Sequence, residues 1–333
     1  MSRVLVTGAS GFIGSNLCRR LLGRGWAVDA LVRESSDLRF LDGLGVRLVR
    51  GDLRFSERIE LPPGTTHVVH AASVVSDTAD DEACSRGIFD LTRSFVRRLR
   101  ATGAPLERFV YISTALTLGF GRRDISEERP GRTAVFLPYV RHKIRTENEL
   151  RDLCALHGFP AVILRPGDVL GPNDRVSSAR LLDGCERGVP LVVGGGRRRF
   201  GYCHVDNLAR AVELALVTPG IEGRAYTVTN GALPAWRDLF RAFQAGVGRP
   251  QRVYVPVFAA RAMAAASGLV EAVLPRFEGA LSPYRVKRVT TETTYDISRT
   301  VAELGYRPDD DFAGQFAGIV AWYRKEKADG RLA

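Results

Sequence analysis

The sequence predicts an α/β fold: a doubly wound parallel sheet followed by a smaller, helix-rich C-terminal lobe. Three observations carry that prediction. Short apolar runs alternate with amphipathic helical patterns through the first half of the 333 residues. The first run, Val4-Leu5-Val6, leads into Thr7-Gly8-Ala9-Ser10-Gly11-Phe12-Ile13-Gly14, three glycines spaced G-x-x-G-x-x-G, and then into a helical pattern at Leu17, Leu21 and Leu22. After Leu170 the alternation stops. Turn chemistry at Gly171-Pro172-Asn173-Asp174 opens a remainder rich in helical patterns with Pro and Gly breaks.

The strands are expected at Val4–Val6, Ala27–Val32, Val46–Val49, His67–His70, Phe109–Ile112 and Ala161–Leu164. Helical patterns lie between them, as at Leu91, Phe95, Val96 and Leu99. Apolar strands separated by helices call for a parallel sheet covered on both faces. In such a sheet the ligand lies beyond the strand C-termini, so the residues after each strand are the informative ones. Residues 1–174 are expected to form a dinucleotide-binding domain. A strand-like piece at Tyr226-Thr227-Val228 suggests that 199–230 returns to it. Residues 175–198 and 231–333 are expected to form the substrate lobe.

Composition narrows the partners. The net charge is +11, yet of 48 basic residues only Lys143, Lys287, Lys325 and Lys327 are lysines. The arginines are spread along the chain without a basic-aromatic ribbon, so nucleic acid is not an expected partner. The densest cluster, Arg197-Arg198-Arg199 after three glycines, reads equally as a solvated loop or as a grip on an anion. Five cysteines (Cys18, Cys84, Cys154, Cys185, Cys203) form no C-x-x-C pair, which fits a reducing compartment, a cytoplasmic location and no metal site. The chain begins in a strand, leaving no room for a signal peptide. Its most apolar stretch, Val255 to Leu274, is interrupted by Arg261 and Glu271 and is not expected to span a membrane. A homodimer is possible.

The glycine loop is suited to a pyrophosphate. Glycine permits the tight turn and close backbone approach, and a helix N-terminus favours negative charge. Gly8, Ser10, Gly11, Phe12, Ile13 and Gly14 are the candidates there; the plainer alternative is a strand–turn–helix with glycines for packing only. The second strand ends Leu31-Val32-Arg33-Glu34-Ser35-Ser36. No carboxylate occupies position 32 and Arg33 follows directly. This favours NADP(H) over NAD(H), with Arg33 and Ser35 or Ser36 on the 2′-phosphate, against the alternative that Arg33 is merely exposed and either cofactor is accepted. After the third strand Asp52-Leu53 either meets the adenine or caps a turn. After the fourth, the small residues Ala71, Ala72 and Ser73 allow the backbone to lie against the cofactor.

Thr114, Tyr139 and Lys143 form the candidate catalytic group. Tyr111-Ile112-Ser113-Thr114 ends the fifth strand, and Tyr139 and Lys143, four apart, share one face of the helix that opens at Pro138. A nearby ammonium is expected to lower the phenol pKa from its usual value near 10, permitting proton exchange. Thr114 Oγ1 can orient a substrate oxygen. The alternative for a lone Tyr-x-x-x-Lys is a solvent-facing amphipathic turn.

Taken in order, these elements, together with Leu164-Arg165-Pro166-Gly167-Asp168-Val169-Leu170-Gly171-Pro172, resemble the extended short-chain dehydrogenase/reductase family over nearly the whole chain. The resemblance implies a Rossmann sheet, a nicotinamide cofactor, Tyr139 as acid/base and Lys143 on the nicotinamide ribose. It also implies Thr114 as the hydroxyl partner, and Ile112, Pro166, Gly167 and Val169 beside the cofactor. Two branches compete. Nucleotide-sugar epimerases and dehydratases usually carry Phe-Asn where Pro166-Gly167 stands, and an Arg where Phe200 stands in Phe200-Gly201-Tyr202-Cys203-His204-Val205. Both sites instead resemble 3β-hydroxysteroid dehydrogenases, sterol dehydrogenases and related ketone reductases, as do Val255-Pro256 and Tyr295-Asp296-Ile297-Ser298. One departure stands out: Ile88-Phe89-Asp90-Leu91-Thr92 occupies the place of Asn-x-x-Gly-Thr, and only the Thr matches.

The expectation is therefore an NADP(H)-dependent oxidoreductase interconverting a ketone and a secondary alcohol on a mostly apolar, steroid-, polyketide- or lipid-like substrate. Val257 to Leu274 walls the pocket or simply packs the small lobe. The alternatives are a nucleotide-sugar epimerase or dehydratase with a tightly bound cofactor, and a non-catalytic cofactor-sensing scaffold.

Overall fold

The computed structural model describes residues 2–76, 78–103, 105–188, 192–248, 255–273 and 283–332. In chain order its strands are β1 (Arg3–Thr7), β2 (Ala27–Val32), β3 (Arg47–Arg50), β4 (His67–His70), β5 (Arg108–Ile112), β6 (Ala161–Pro166), β7 (Asp168–Leu170), β8 (Tyr202–His204) and β9 (Ala225–Val228). Its helices are α1 (Phe12–Gly23), α2 (Asp81–Cys84), α3 (Leu91–Ala101), α4 (Pro138–His157), α5 (Ser178–Glu186), α6 (Val205–Val217), α7 (Trp236–Gly246), α8 (Val257–Val273), α9 (Pro283–Thr290), α10 (Ser298–Leu304) and α11 (Phe312–Ala328). A π-helical turn, Ser85–Asp90, joins α2 to α3.

Seven strands form one parallel sheet in the order β3-β2-β1-β4-β5-β6-β9, and β7 pairs with β8 in a separate ribbon. The side-chain alternation of each strand supplies both faces of the sheet. Val4 and Val6 pack into a core with α1 and α6, while Leu5 points into the opposite core. Val110, Ile112, Val162 and Leu164 join the first; Phe109, Tyr111, Ala161 and Ile163 join the second, with Phe95 and Leu99 of α3 and Leu150 of α4. Where both faces are covered, the strands read as continuous apolar runs; the edge strand β3 is mostly exposed. All six expected strands appear, within one or two residues of their predicted ends, and Tyr226-Thr227-Val228 does return to the sheet, against β6.

The ribbon of β7 and β8 was not foreseen. Three-residue strands are too short to carry a periodicity of their own; they pair because Gly167 and Gly201 let two backbones touch. A Cβ at Gly167 would lie 3.0 Å from the Gly201 carbonyl carbon and closer still to its oxygen. Beyond the sheet, α5, α7 and α11 enclose a third core of Leu182, Leu239, Phe240, Phe243, Phe316 and Ile319. Leu304 and Tyr306, by contrast, lie on the sheet core; the Tyr306 hydroxyl donates to the Thr229 carbonyl at 3.0 Å. Among the described residues no helix is long and apolar enough to cross a membrane. All five cysteines are free.

Candidate active site

The glycine loop connects β1 to α1. Gly8 has φ +65°, where a side chain is strained, and a Cβ on it would lie 2.8 Å from the Ala72 nitrogen. Gly14 is buried on Gly8: a Cβ there would lie 2.7 Å from Ala9 Cα. The N-cap of α1 is Gly11, and no side chain caps it. An uncapped helix end approached only by backbone is the cradle a pyrophosphate requires, so these residues fit a dinucleotide. Ser10, Phe12 and Ile13 are half-buried around the same turn.

The shelf next to it, Ala71–Ser73, is held from beneath. The Ala72 amide donates to Thr7 Oγ1 (3.2 Å), Thr7 Oγ1 meets His70 Nδ1 (2.9 Å), and His70 Nε2 meets Thr92 Oγ1 (3.1 Å). Thr92 Oγ1 in turn donates to the Ile88 carbonyl at 2.7 Å. The chain of donors fixes the proton on Nε2. Burial, with Lys143 nearby, pushes the His70 pKa down to about 3, so the ring is neutral and stays a bridge. Sequence reasoning passed over His70. The departure at Ile88 is absorbed here: its side chain is fully buried and its carbonyl holds Thr92.

At the end of β2 Arg33 is exposed, and its amide donates to Ser36 Oγ at 3.0 Å. Asp52 caps the turn that follows it, accepting from the Arg54 amide at 2.9 Å, and is clamped by the Arg54 guanidinium, which holds its carboxyl below the usual range. Of the two readings of Asp52, the structure displays the turn cap. The Leu53 side chain is turned into the core with Leu31 and Ile59, so only its main chain can face a ligand.

The structure brings Thr114, Tyr139 and Lys143 together. Thr114 follows β5 and accepts from the Leu116 amide, opening a 3-10 turn. Tyr139 and Lys143 sit one turn apart on α4, whose first residue is Pro138. Tyr139 is half-buried, with Thr114 close enough to favour its phenolate. Lys143 is 2% exposed; its ammonium donates to the Ile112 carbonyl at 2.8 Å and lies 5.8 Å from the Tyr139 ring centroid. Burial pushes Lys143 down to about 7 and Tyr139 up to about 12. This corrects the expectation of a depressed phenol. Desolvation outweighs the favourable neighbours, Thr114 and the Arg288 guanidinium, while the Lys143 ammonium is committed to Ile112. The phenol is therefore protonated near neutrality.

The neighbouring polar groups are engaged elsewhere. Ser113 Oγ donates to Glu147 Oε1 at 2.5 Å, and Arg165 grips both Glu147 oxygens beneath the site. His142 Nε2 lies 3.2 Å from Asp81. Pro166 and Gly167 lie at the end of β6, where the Gly167 amide donates to the Val228 carbonyl at 3.0 Å; Val169 pairs with Cys203 in the ribbon. From the C-terminal part, Arg288 of α9 pairs with Asp168.

An aromatic wall adjoins Tyr139. Phe120, Phe136 and Tyr284 meet edge to face at 5.5–6.4 Å, and Tyr139 and Leu116 pack on the same cluster. Phe136 is 54% exposed, so the wall is open at one end. Its members come from three distant segments, which no local pattern links. In α8, by contrast, Ala260 and Ala264 are core against Val193 and Val286, and Phe258 and Met263 are exposed; Leu274 lies outside the described residues. Phe200 is buried and stacked on Trp236 at 4.0 Å, part of the third core. Among the described residues no group of three or more His, Cys, Asp or Glu could hold a metal ion.

Comparison with known proteins gives the family. The model of the NAD dependent epimerase/dehydratase family matches residues 4–229. Sterol demethylase protein B of Methylococcus capsulatus is 29% identical over 96% of this chain and 98% of that protein. A 4-hydroxy-2-methyl-3-oxo-4-farnesyl-3,4-dihydroquinoline-1-oxide ketoreductase of Stigmatella aurantiaca is 29% identical over 91% of each. The crystal structure of gox2253 superimposes with a TM-score of 0.78 at 26% identity, covering 100% of both chains. With its parallel sheet, glycine loop and Tyr–Lys helix, the chain belongs to the NAD dependent epimerase/dehydratase family and is an NAD(P)-dependent oxidoreductase of the extended short-chain dehydrogenase/reductase type.

Proposed function

We propose that the protein interconverts a ketone and a secondary alcohol on a mostly apolar substrate, with NADP(H) as the preferred cofactor. The observation that carries this reading is the placement of a protonated tyrosine against an open aromatic wall. Tyr139 lies beside Thr114 and packs in one cluster with Phe120 and Tyr284. An apolar substrate covering the exposed Phe136 and the open edges of Tyr284 and Tyr139 gains roughly 25 cal/mol for each Å² removed from water, with its oxygen left facing Thr114 and Tyr139.

In reduction, Tyr139 Oη gives its proton to the substrate oxygen, and Thr114 Oγ1 orients that oxygen. A phenol held at about 12 is fully protonated at neutral pH, which suits the acid role. Lys143 supports the phenolate left behind; the same ammonium is assigned to the ribose hydroxyls. The nicotinamide, when bound, supplies or takes the hydride. Gly8, Gly11 and Gly14 would hold its pyrophosphate, Ala71 to Ser73, Pro166, Gly167 and Val169 its body, and Arg33 with Ser36 its 2′-phosphate. We assign substrate binding to residues 175–198 and 231–333 together with Phe136 of the aromatic wall. The ketoreductase and sterol-related relatives support this reading. So does Phe200: where sugar-nucleotide enzymes place an Arg, this chain buries a ring on Trp236.

The test is a panel of apolar ketones and alcohols followed at the NADPH absorbance, with calorimetry against UDP- and dTDP-sugars. Consumption of NADPH with an apolar ketone and no sugar-nucleotide binding is the expected result. Micromolar binding of a nucleotide sugar without net cofactor turnover would overturn the reading in favour of epimerisation or dehydration.

A further inference from the structure

We propose that Arg50, the last residue of β3, is a second guanidinium of the site that selects the 2′-phosphorylated ribose. This rests on the NADP(H) reading above. In the sheet register Arg50 stands opposite Val32, the last residue of β2, and the Gly51 amide donates to the Val32 carbonyl at 3.0 Å. The Arg50 side chain crosses that strand end: Nη1 donates to the Arg33 carbonyl at 3.2 Å. Two guanidinium-bearing residues that are 17 apart in sequence thus converge where β2 ends.

The local charges are arranged to let an anion approach. Two carboxylates lie there, Glu34 and Asp52. Glu34 Oε2 is 4.0 Å from Arg50 Nη1, and Asp52 is held by Arg54 through Nε and Nη2 at 2.6–3.1 Å. Arg33 also acts on Asp52 through its charge. Neither carboxylate is left uncompensated beside a phosphate. A guanidinium has five N–H donors, and Arg50 spends one on the Arg33 carbonyl, so its fork retains donors for a phosphate oxygen. Arg50 is exposed, so the contact costs little desolvation before the cofactor arrives.

The experiment measures binding alone. Affinities for NADPH, NADH, 2′,5′-ADP and 5′-AMP are determined by calorimetry for wild type, Arg50→Ala, Arg50→Lys and Arg33→Ala. Arg50→Ala is expected to weaken NADPH and 2′,5′-ADP about tenfold and to leave NADH and 5′-AMP within about twofold, with Arg50→Lys between. Raising the salt concentration should shrink the difference. If Arg50→Ala weakens both cofactors equally, or neither, while Arg33→Ala remains selective for NADPH, the role of Arg50 is overturned and the NADP(H) reading stands. A wild type that binds NADPH and NADH alike overturns both.

Discussion

Replacing Gly14 by alanine tests the cofactor cradle most directly. The new Cβ would lie 2.7 Å from Ala9 Cα and closer to the Gly8 carbonyl oxygen, whereas carbon atoms pack at roughly 3.5–4.0 Å. Helix α1 and the loop must therefore separate by about 1 Å, judged against that spacing. Neither side can yield freely. The Gly8 carbonyl accepts the Gly11 amide at 3.0 Å, and Gly8 is itself seated against Ala72. Overpacking of this kind costs about 1–3 kcal/mol, which lowers Tm by a few degrees in a chain of this size. The displaced amides would also lose their aim. Losing one or two charge-assisted hydrogen bonds to pyrophosphate, each about 1.5–3 kcal/mol, weakens NADPH by at least about tenfold. Gly23→Ala is the control: Gly23 ends the same helix, is exposed and has nothing within 4 Å of an added Cβ. It should stabilise by about 0.5–1 kcal/mol and leave binding unchanged. Thermal unfolding and calorimetry with NADPH read both variants. A Gly14→Ala protein with wild-type Tm and wild-type NADPH affinity would refute the assignment of the loop as a close-packed cradle.

Tyr139→Phe should cut turnover about a hundred- to ten-thousand-fold while cofactor affinity holds; a variant keeping more than about a tenth of wild-type activity would move the acid role to Thr114, since Ser113 is committed to Glu147 and His142 to Asp81. Lys143→Met should raise stability most below about pH 7, because burial depresses the Lys143 pKa in the folded chain from 10.5 to about 7. The penalty for burying the ammonium is complete below the folded value and fades as pH rises toward the unfolded one; urea melts of both proteins at pH 6 and pH 10 that differ by the same amount would contradict it. His70, depressed from 6.5 to about 3, should contribute stability above pH 6.5 that is lost as pH falls toward 3. His70→Gln should flatten that part of the pH–stability curve, and an unchanged slope would sink the claim.

The sheet was legible in the sequence because its inner strands are buried on both faces, the edge strand β3 alone being largely exposed. Runs such as Val4-Leu5-Val6 and Ala161 to Leu164 announce themselves without any knowledge of their neighbours. The glycine loop was legible too, since Gly8 and Gly14 answer to local sterics: a positive φ and a helix laid on a turn. So was the pairing of Tyr139 with Lys143, fixed by helical spacing. Contacts between distant segments were decided only by the tertiary structure. Phe120, Phe136 and Tyr284 form one wall although no local pattern relates them. Gly167 and Gly201 create a ribbon that neither strand signals alone. His70 becomes a neutral bridge because Thr7 and Thr92 arrive from either side. The sign of the Tyr139 shift was decided the same way. Sequence spacing supplies the ammonium four residues away, but burial depends on everything packed around the ring, and burial prevails.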